Sequence, residues 1–301
     1  MSARDISLAL LIPVIWGYNF VVMKYAVTEV SPLLLVALRF LLAAFPLVFF
    51  VARPAVSWGV LVGYATAFGM VKFALLFTAF EFGAPAGLAS VVLQCQAIFT
   101  AVIAIRLHGE RLATHETAGL VLAALGLILI FSSHAGGGQI DLGAFAPLAL
   151  VLAAAFAWTV ANLINKRAVG ADPFAFVVWS AAIAAVPMSF LALAIEGAAG
   201  IHQTVSGLSI YGVLAVLYLA YPVSILSGAI WVRLVARHRS AMVAPFALLT
   251  PCVGLIGGAI TFGERLDLLQ ASGSALVLIA LVIAVMGHRF VRGQIERGRT
   301  T

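Results

Sequence analysis

Charge is scarce in this chain. Only 9% of its 301 residues are Asp, Glu, Lys or Arg, against roughly 25% in an ordinary soluble domain, so most of the chain must sit away from water. Cysteine is scarcer still: Cys95 and Cys252 both lie inside apolar stretches, which excludes a disulfide framework and a cysteine-rich metal site. No Asp or Glu stands in the middle of an apolar run, and all six histidines fall in loops or at boundaries, so a carboxylate proton relay of the usual kind has no residue to carry it. Walker A, Rossmann and His-Glu-x-x-His patterns are missing, as are paired mid-span acids and nucleophile–base pairs. The expectation is a protein that is not an enzyme and uses no cofactor and no metal.

What fills the sequence instead is apolar: 64% of residues are hydrophobic. Runs long enough to cross a bilayer fall at 6–27, 32–52, 58–80, 85–107, 114–133, 144–166, 173–195, 208–232, 239–262 and 267–288. At about 20 residues per crossing, ten crossings leave no room for a separate soluble domain. The first run follows Arg4 but is too long for a signal-peptide core and lacks a clear small-residue cleavage site, so it counts as part of the fold.

The chain also repeats itself. Trp16 and Lys24 recur at the same separation as Trp158 and Lys166, and Asn19 is answered approximately by Asn162. Gly109-Glu110-Arg111-Leu112 recurs 154 positions later as Gly263-Glu264-Arg265-Leu266, and Gly119 maps to Gly273 at the same offset. Two five-span units are predicted, 1–134 and 135–301, joined by the turn-prone stretch 134–139. Because five is odd, the second unit enters the membrane from the opposite side, which makes an all-α polytopic membrane protein of ten transmembrane helices in two inverted repeats. Of the 17 basic residues, all but Lys24, Arg39, Lys72 and Arg265 fall on one side of this arrangement. By the positive-inside rule both termini are then cytoplasmic. The net charge of +6, including the basic tail Arg289–Arg299, is read as orientation against anionic lipid, with no nucleic-acid partner.

The order of short motifs resembles the EamA-type carriers of the drug/metabolite transporter superfamily. It rests on the paired halves, Trp16-Gly17-Tyr18-Asn19-Phe20, Leu38-Arg39-Phe40, Pro85-Ala86-Gly87-Leu88-Ala89-Ser90 leading to Gln94, and the two Gly-Glu-Arg-Leu turns, and it covers residues 5–288. The resemblance implies a bacterial inner-membrane exporter of amino acids or related metabolites that works by alternating access. Export of amphiphilic drugs or sugar-like metabolites is the alternative within the superfamily.

An ionisable group deep in a span marks function by default. Lys72 stands ~21 Å along its helix from Trp58 and should face a central cavity and a substrate carboxylate. Amides within spans must find partners, which nominates Asn19, Asn162 and Gln94, the two asparagines as a pair meeting across the pseudo-two-fold axis. Gln96, about 200° round a regular helix from Gln94, should face elsewhere. Trp16, Trp158, Trp179 and Tyr221 are the predicted apolar walls. Tyr221 enters by matching 59–61 to 212–214, which sets it opposite Phe68, beside Lys72, and sets Lys72 opposite Ile225. Arg39 is expected to pair with Glu29 or helix-end carbonyls, or to gate the outer mouth, while Lys24 and Lys166 are expected as span-end anchors or gate elements. Trp58 and Trp231 are assigned to the interfacial belt. Glu110 and Glu264 should cap loops. Gly59-x-x-x-Gly63 and Gly254-x-x-x-Gly258 should allow close helix approach. Prolines 13, 187, 222, 245 and 251 are the candidate kinks.

Overall fold

A computed structural model describes residues 1–108, 114–133, 142–168, 170–238, 243 and 246–297. Glu110, the rest of the first Gly-Glu-Arg-Leu turn, the 134–139 joint and Pro245 lie outside the described residues. The side chains of the basic tail lie outside the description as well.

The described residues form ten apolar helices and no strands. We number them α1 (Ala3–Ala26), α2 (Pro32–Ala44), α3 (Trp58–Glu81), α4 (Ala86–Val92 and, after a break, Cys95–His108), α5 (Thr114–Ser132), α6 (Leu142–Asn165), α7 (Pro173–Ser206, kinked at Gly197 where φ is 70°), α8 (Ile210–Tyr218, Leu219–Leu226 and Ser227–Arg237), α9 (Thr250–Phe262) and α10 (Leu268–Arg297). Hydroxyl and carboxylate caps start several of them, as expected where first-turn amides lack partners. Ser31 precedes Pro32 and accepts from the Leu34 amide, and Asp172 precedes Pro173 and accepts from Phe174 and Ala175. α9 ends at Gly263, whose φ of 65° is the left-handed turn that glycine adopts without a Cβ penalty.

The repeat is visible in the backbone itself. α3 widens to a π-helix over Ala65–Lys72, and α8 does the same over Leu219–Leu226, each eight residues long and 154 positions apart. In α8 the cause is on the chain, because Pro222 has no amide hydrogen to donate. No proline occupies 65–72.

In lipid, apolar burial hardly drives helices together, so they associate where small residues let backbones meet. α5 and α10 do so at Gly126 and Gly273. A Cβ on Gly126 would fall 2.6 Å from the Gly273 carbonyl oxygen, and one on Gly273 would fall 2.5 Å from that of Gly126. Gly126→Val is therefore expected to separate the two helices and to cost roughly 2–4 kcal/mol. Thermal unfolding in detergent checks this, and an unchanged midpoint would refute it. α9 meets the first segment of α4 in the same manner, with Gly254 against Ser90 and Gly258 against the Gly87 amide. Gly59 faces open space, and of the 59–63 pair only Gly63 meets another helix, with Ile164 of α6 3.3 Å from where its Cβ would stand.

Candidate functional site

A cavity of about 530 Å³ lies between the two five-helix halves. It runs from Lys72 and Leu76 at mid-depth towards Pro173, Phe174 and Val177 at the start of α7, where a second cavity of about 310 Å³ beside Tyr64 and Lys166 continues it. The opposite end is clasped shut. There Glu264 pairs with Lys24 Nζ at 2.7 Å and accepts from the Ala86 and Gly87 amides at 2.7 and 2.9 Å, capping α4. Glu29 accepts from the Ser209 amide and hydroxyl, and from Tyr25. Ser31 donates to Glu196. Each clasp joins one half to the other. The hydrogen bonds from Ser209, then from Tyr25, hold the Glu29 carboxyl below the usual carboxylate range, so this clasp persists at neutral pH and loosens only on acidification. At the open end, His238 Nε2 lies 3.1 Å from Asp5.

Two cations face the cavity. Lys72, 4% exposed, closes the π segment of α3, and its Nζ sits 3.9 Å from the Trp158 ring centroid and 4.2 Å from those of Phe68 and Phe73. Ring faces stabilise an ammonium but leave its N–H donors without acceptors. Among the described residues Lys72 makes no hydrogen bond or ion pair. Arg39, 3% exposed, lies 4.2 Å over Phe73 and donates Nε–H to Ser224 Oγ at 3.3 Å in the π segment of α8. Most of its guanidinium donors are left over.

Neutral polar groups complete the lining. Asn19 Oδ1, Ser180 Oγ and Thr250 Oγ1 are buried without hydrogen-bond partners, and all three residues line the cavity. Leaving such a group unpaired costs ~1–3 kcal/mol, so three of them on one cavity point to a polar ligand. Trp16 donates to Ser227 Oγ at 2.8 Å and packs on Trp231 at 5.4 Å.

Of the residues nominated from sequence, Lys72, Trp16, Asn19, Gln94, Trp158 and Asn162 all meet at this cavity, and Arg39 joins them. Several expectations need correcting. Arg39 does not reach Glu29, which is taken by Ser209 and Tyr25. Asn162 donates to Gln96 Oε1 at 2.6 Å, not to Asn19. Gln94 and Gln96 both line the cavity because α4 breaks between Val92 and Cys95, which voids regular-helix geometry. Tyr221 is 41% exposed and off the cavity, since the π segments fix the repeat offset at 154, one more than the match used for it. That offset sets Tyr64 opposite Tyr218, whose hydroxyl bonds the Ile15 carbonyl, and Lys72 opposite Leu226. Trp179 lies outside the cavity, donating to Val51 O and packing on Trp58. Trp231 is a wall rather than a belt residue. Lys24 is ion-paired in the clasp, and Lys166 is exposed at the open end.

Ser180 and Thr250 were missed. Ser180 has a signal: matching Ser31-Pro32 to Asp172-Pro173 sets it opposite Arg39. A lone threonine in an apolar helix has none.

A two-repeat bundle of apolar helices around a largely apolar cavity that carries two cations and a few polar groups defines a membrane carrier for a small solute. The chain belongs to the EamA-like transporter family, whose profile matches it twice, at residues 4–132 and 146–286. It is 42% identical to a protein of Salmonella typhimurium named "Probable amino-acid metabolite efflux pump", over 97% of this chain and 98% of that one. It is 40% identical to the Escherichia coli protein of the same name, over 96% and 97%. A solved crystal structure with 19% sequence identity superposes with a TM-score of 0.63 over 97% of this chain and 99% of that chain, which shows the shared fold.

Proposed function

We propose that the protein exports amino acids and related metabolites across the inner membrane by alternating access, with both termini in the cytoplasm. The two units, 1–134 and 135–301, rock about the cavity between them. On this orientation the cavity opens to the cytoplasm and the carboxylate clasps close the outer face. The names of the relatives at 42% and 40% identity support the substrate class. One observation carries the reading: a buried lysine with free donors shares a cavity with three orphaned polar groups and stacked aromatics. Lys72 would take the solute carboxylate, and Asn19 Oδ1, Gln94 and Asn162 its other polar groups. Trp16 and Trp158 would cover its apolar part. Arg39 stands within the site, while Lys24 and Lys166 work at its two ends. Reconstitution in liposomes with a labelled amino-acid and metabolite panel, with and without a proton gradient, tests this. Saturable uptake of at least one member is expected, and uptake of none would refute it.

A further inference from the structure

We propose that Arg39 and Lys72 act together to make the cavity prefer solutes whose carboxylates outnumber their ammonium groups, N-acylated amino acids ahead of the free zwitterions. This rests on the reading above and narrows it to net-anionic substrates.

The charge balance carries the inference. Both cations are buried, both line the same cavity, and both lie 4.2 Å from the Phe73 ring centroid, so they stand at most twice that distance apart. Among the described residues no acid lines the cavity. The nearby carboxylates are engaged elsewhere: Glu29, Glu196 and Glu264 in the clasps, and Asp172 capping α7 beside the cavity mouth. A zwitterion that gives its carboxylate to Lys72 must bring its ammonium into the field of a second, uncompensated cation, where low permittivity makes like charges repel over several ångströms. The ring faces nearest the carboxylate site, those of Phe68, Phe73 and Trp158, already hold Lys72. What remains in the described lining are neutral acceptors such as Asn19 Oδ1 and the ring faces of Trp16 and Tyr64, none of which carries the negative charge that a second cation calls for. An N-acyl amide suits them better, since it presents one N–H to an acceptor and one carbonyl to the spare guanidinium donors. The repeat sharpens the point, because Ser180 and Leu226 stand at the positions matching Arg39 and Lys72, so both charges come from the first half and no acid among the described lining residues of the second half offsets them.

The test uses the full-length protein in liposomes with paired labelled probes of one side chain, L-leucine and N-acetyl-L-leucine. The wild type is expected to take up the N-acetyl probe at least ~10-fold faster at equal concentration. Arg39→Gln should erase most of that preference while Arg39→Lys, which keeps the charge, retains it. Equal or faster uptake of free leucine by the wild type overturns the proposal without need of any variant, and so does a preference that Arg39→Gln leaves unmoved. Uptake of neither probe, while other panel members are carried, also overturns it yet leaves the exporter reading standing. Failure across the whole panel removes both.

Discussion

Lys72→Met is expected to lower uptake of carboxylate-bearing solutes by at least ~100-fold, equivalent to ~2.7 kcal/mol of lost interaction, while the protein melts at the same temperature or higher. The two halves of this expectation come from one geometry. Nζ has no hydrogen bond and no counter-ion among the described residues, so in the empty protein its charge is an uncompensated burden that three aromatic faces offset only partly. Met keeps the length and apolar contacts of the stem and removes the burden. A structural lysine would behave in the opposite way, with stability falling and transport following it. Initial uptake rates in liposomes and thermal unfolding in detergent, read side by side, separate the cases. Full transport in the variant would discard Lys72 as a ligand.

On the proposed orientation, Glu264→Ala is expected to release the outer clasp. The carboxylate neutralises Lys24 and satisfies two amides at the start of α4, so its removal leaves a partly buried cation and two orphaned donors, a loss of about 2–3 kcal/mol from the clasped state. That is enough to redistribute a two-state carrier by a factor of roughly 30–150. A thiol placed at Met23, which lines the cavity, should then react with an impermeant reagent added outside, and far more slowly in the parent. Equal labelling rates in the two would show that the clasp does not hold the outer face closed.

The count of helices and their pairing into halves were legible because lipid imposes length and hydrophobicity on every crossing, and because a repeated Gly-Glu-Arg-Leu turn survives in both halves. Lys72 was legible for the same reason: a charge in the middle of a span needs a purpose. What stayed hidden depended on departures from the ideal helix. Tyr221 was placed on the cavity by a repeat match of 153 positions where the paired π segments are 154 apart, and Gln96 was turned away by regular-helix arithmetic across a break in α4. Pro222 was a visible warning in one case. The break at 93–94 carries neither Pro nor Gly, so no residue announced it. Arg39 was misjudged because pairing it with Glu29 supplied the acid that a buried cation ordinarily requires, whereas this site keeps it without one.

A carrier assembled from two identical halves in opposite orientation would stand at equal energy facing either way. Here the described residues hold three carboxylate clasps at one end, while the other end is tied by the His238–Asp5 contact and the Trp179 hydrogen bond to the Val51 carbonyl, with no carboxylate capping a helix across the halves. On the proposed alternating-access cycle, the empty carrier would be a biased balance, idling open at the end without the carboxylate clasps and working against those clasps whenever it turns.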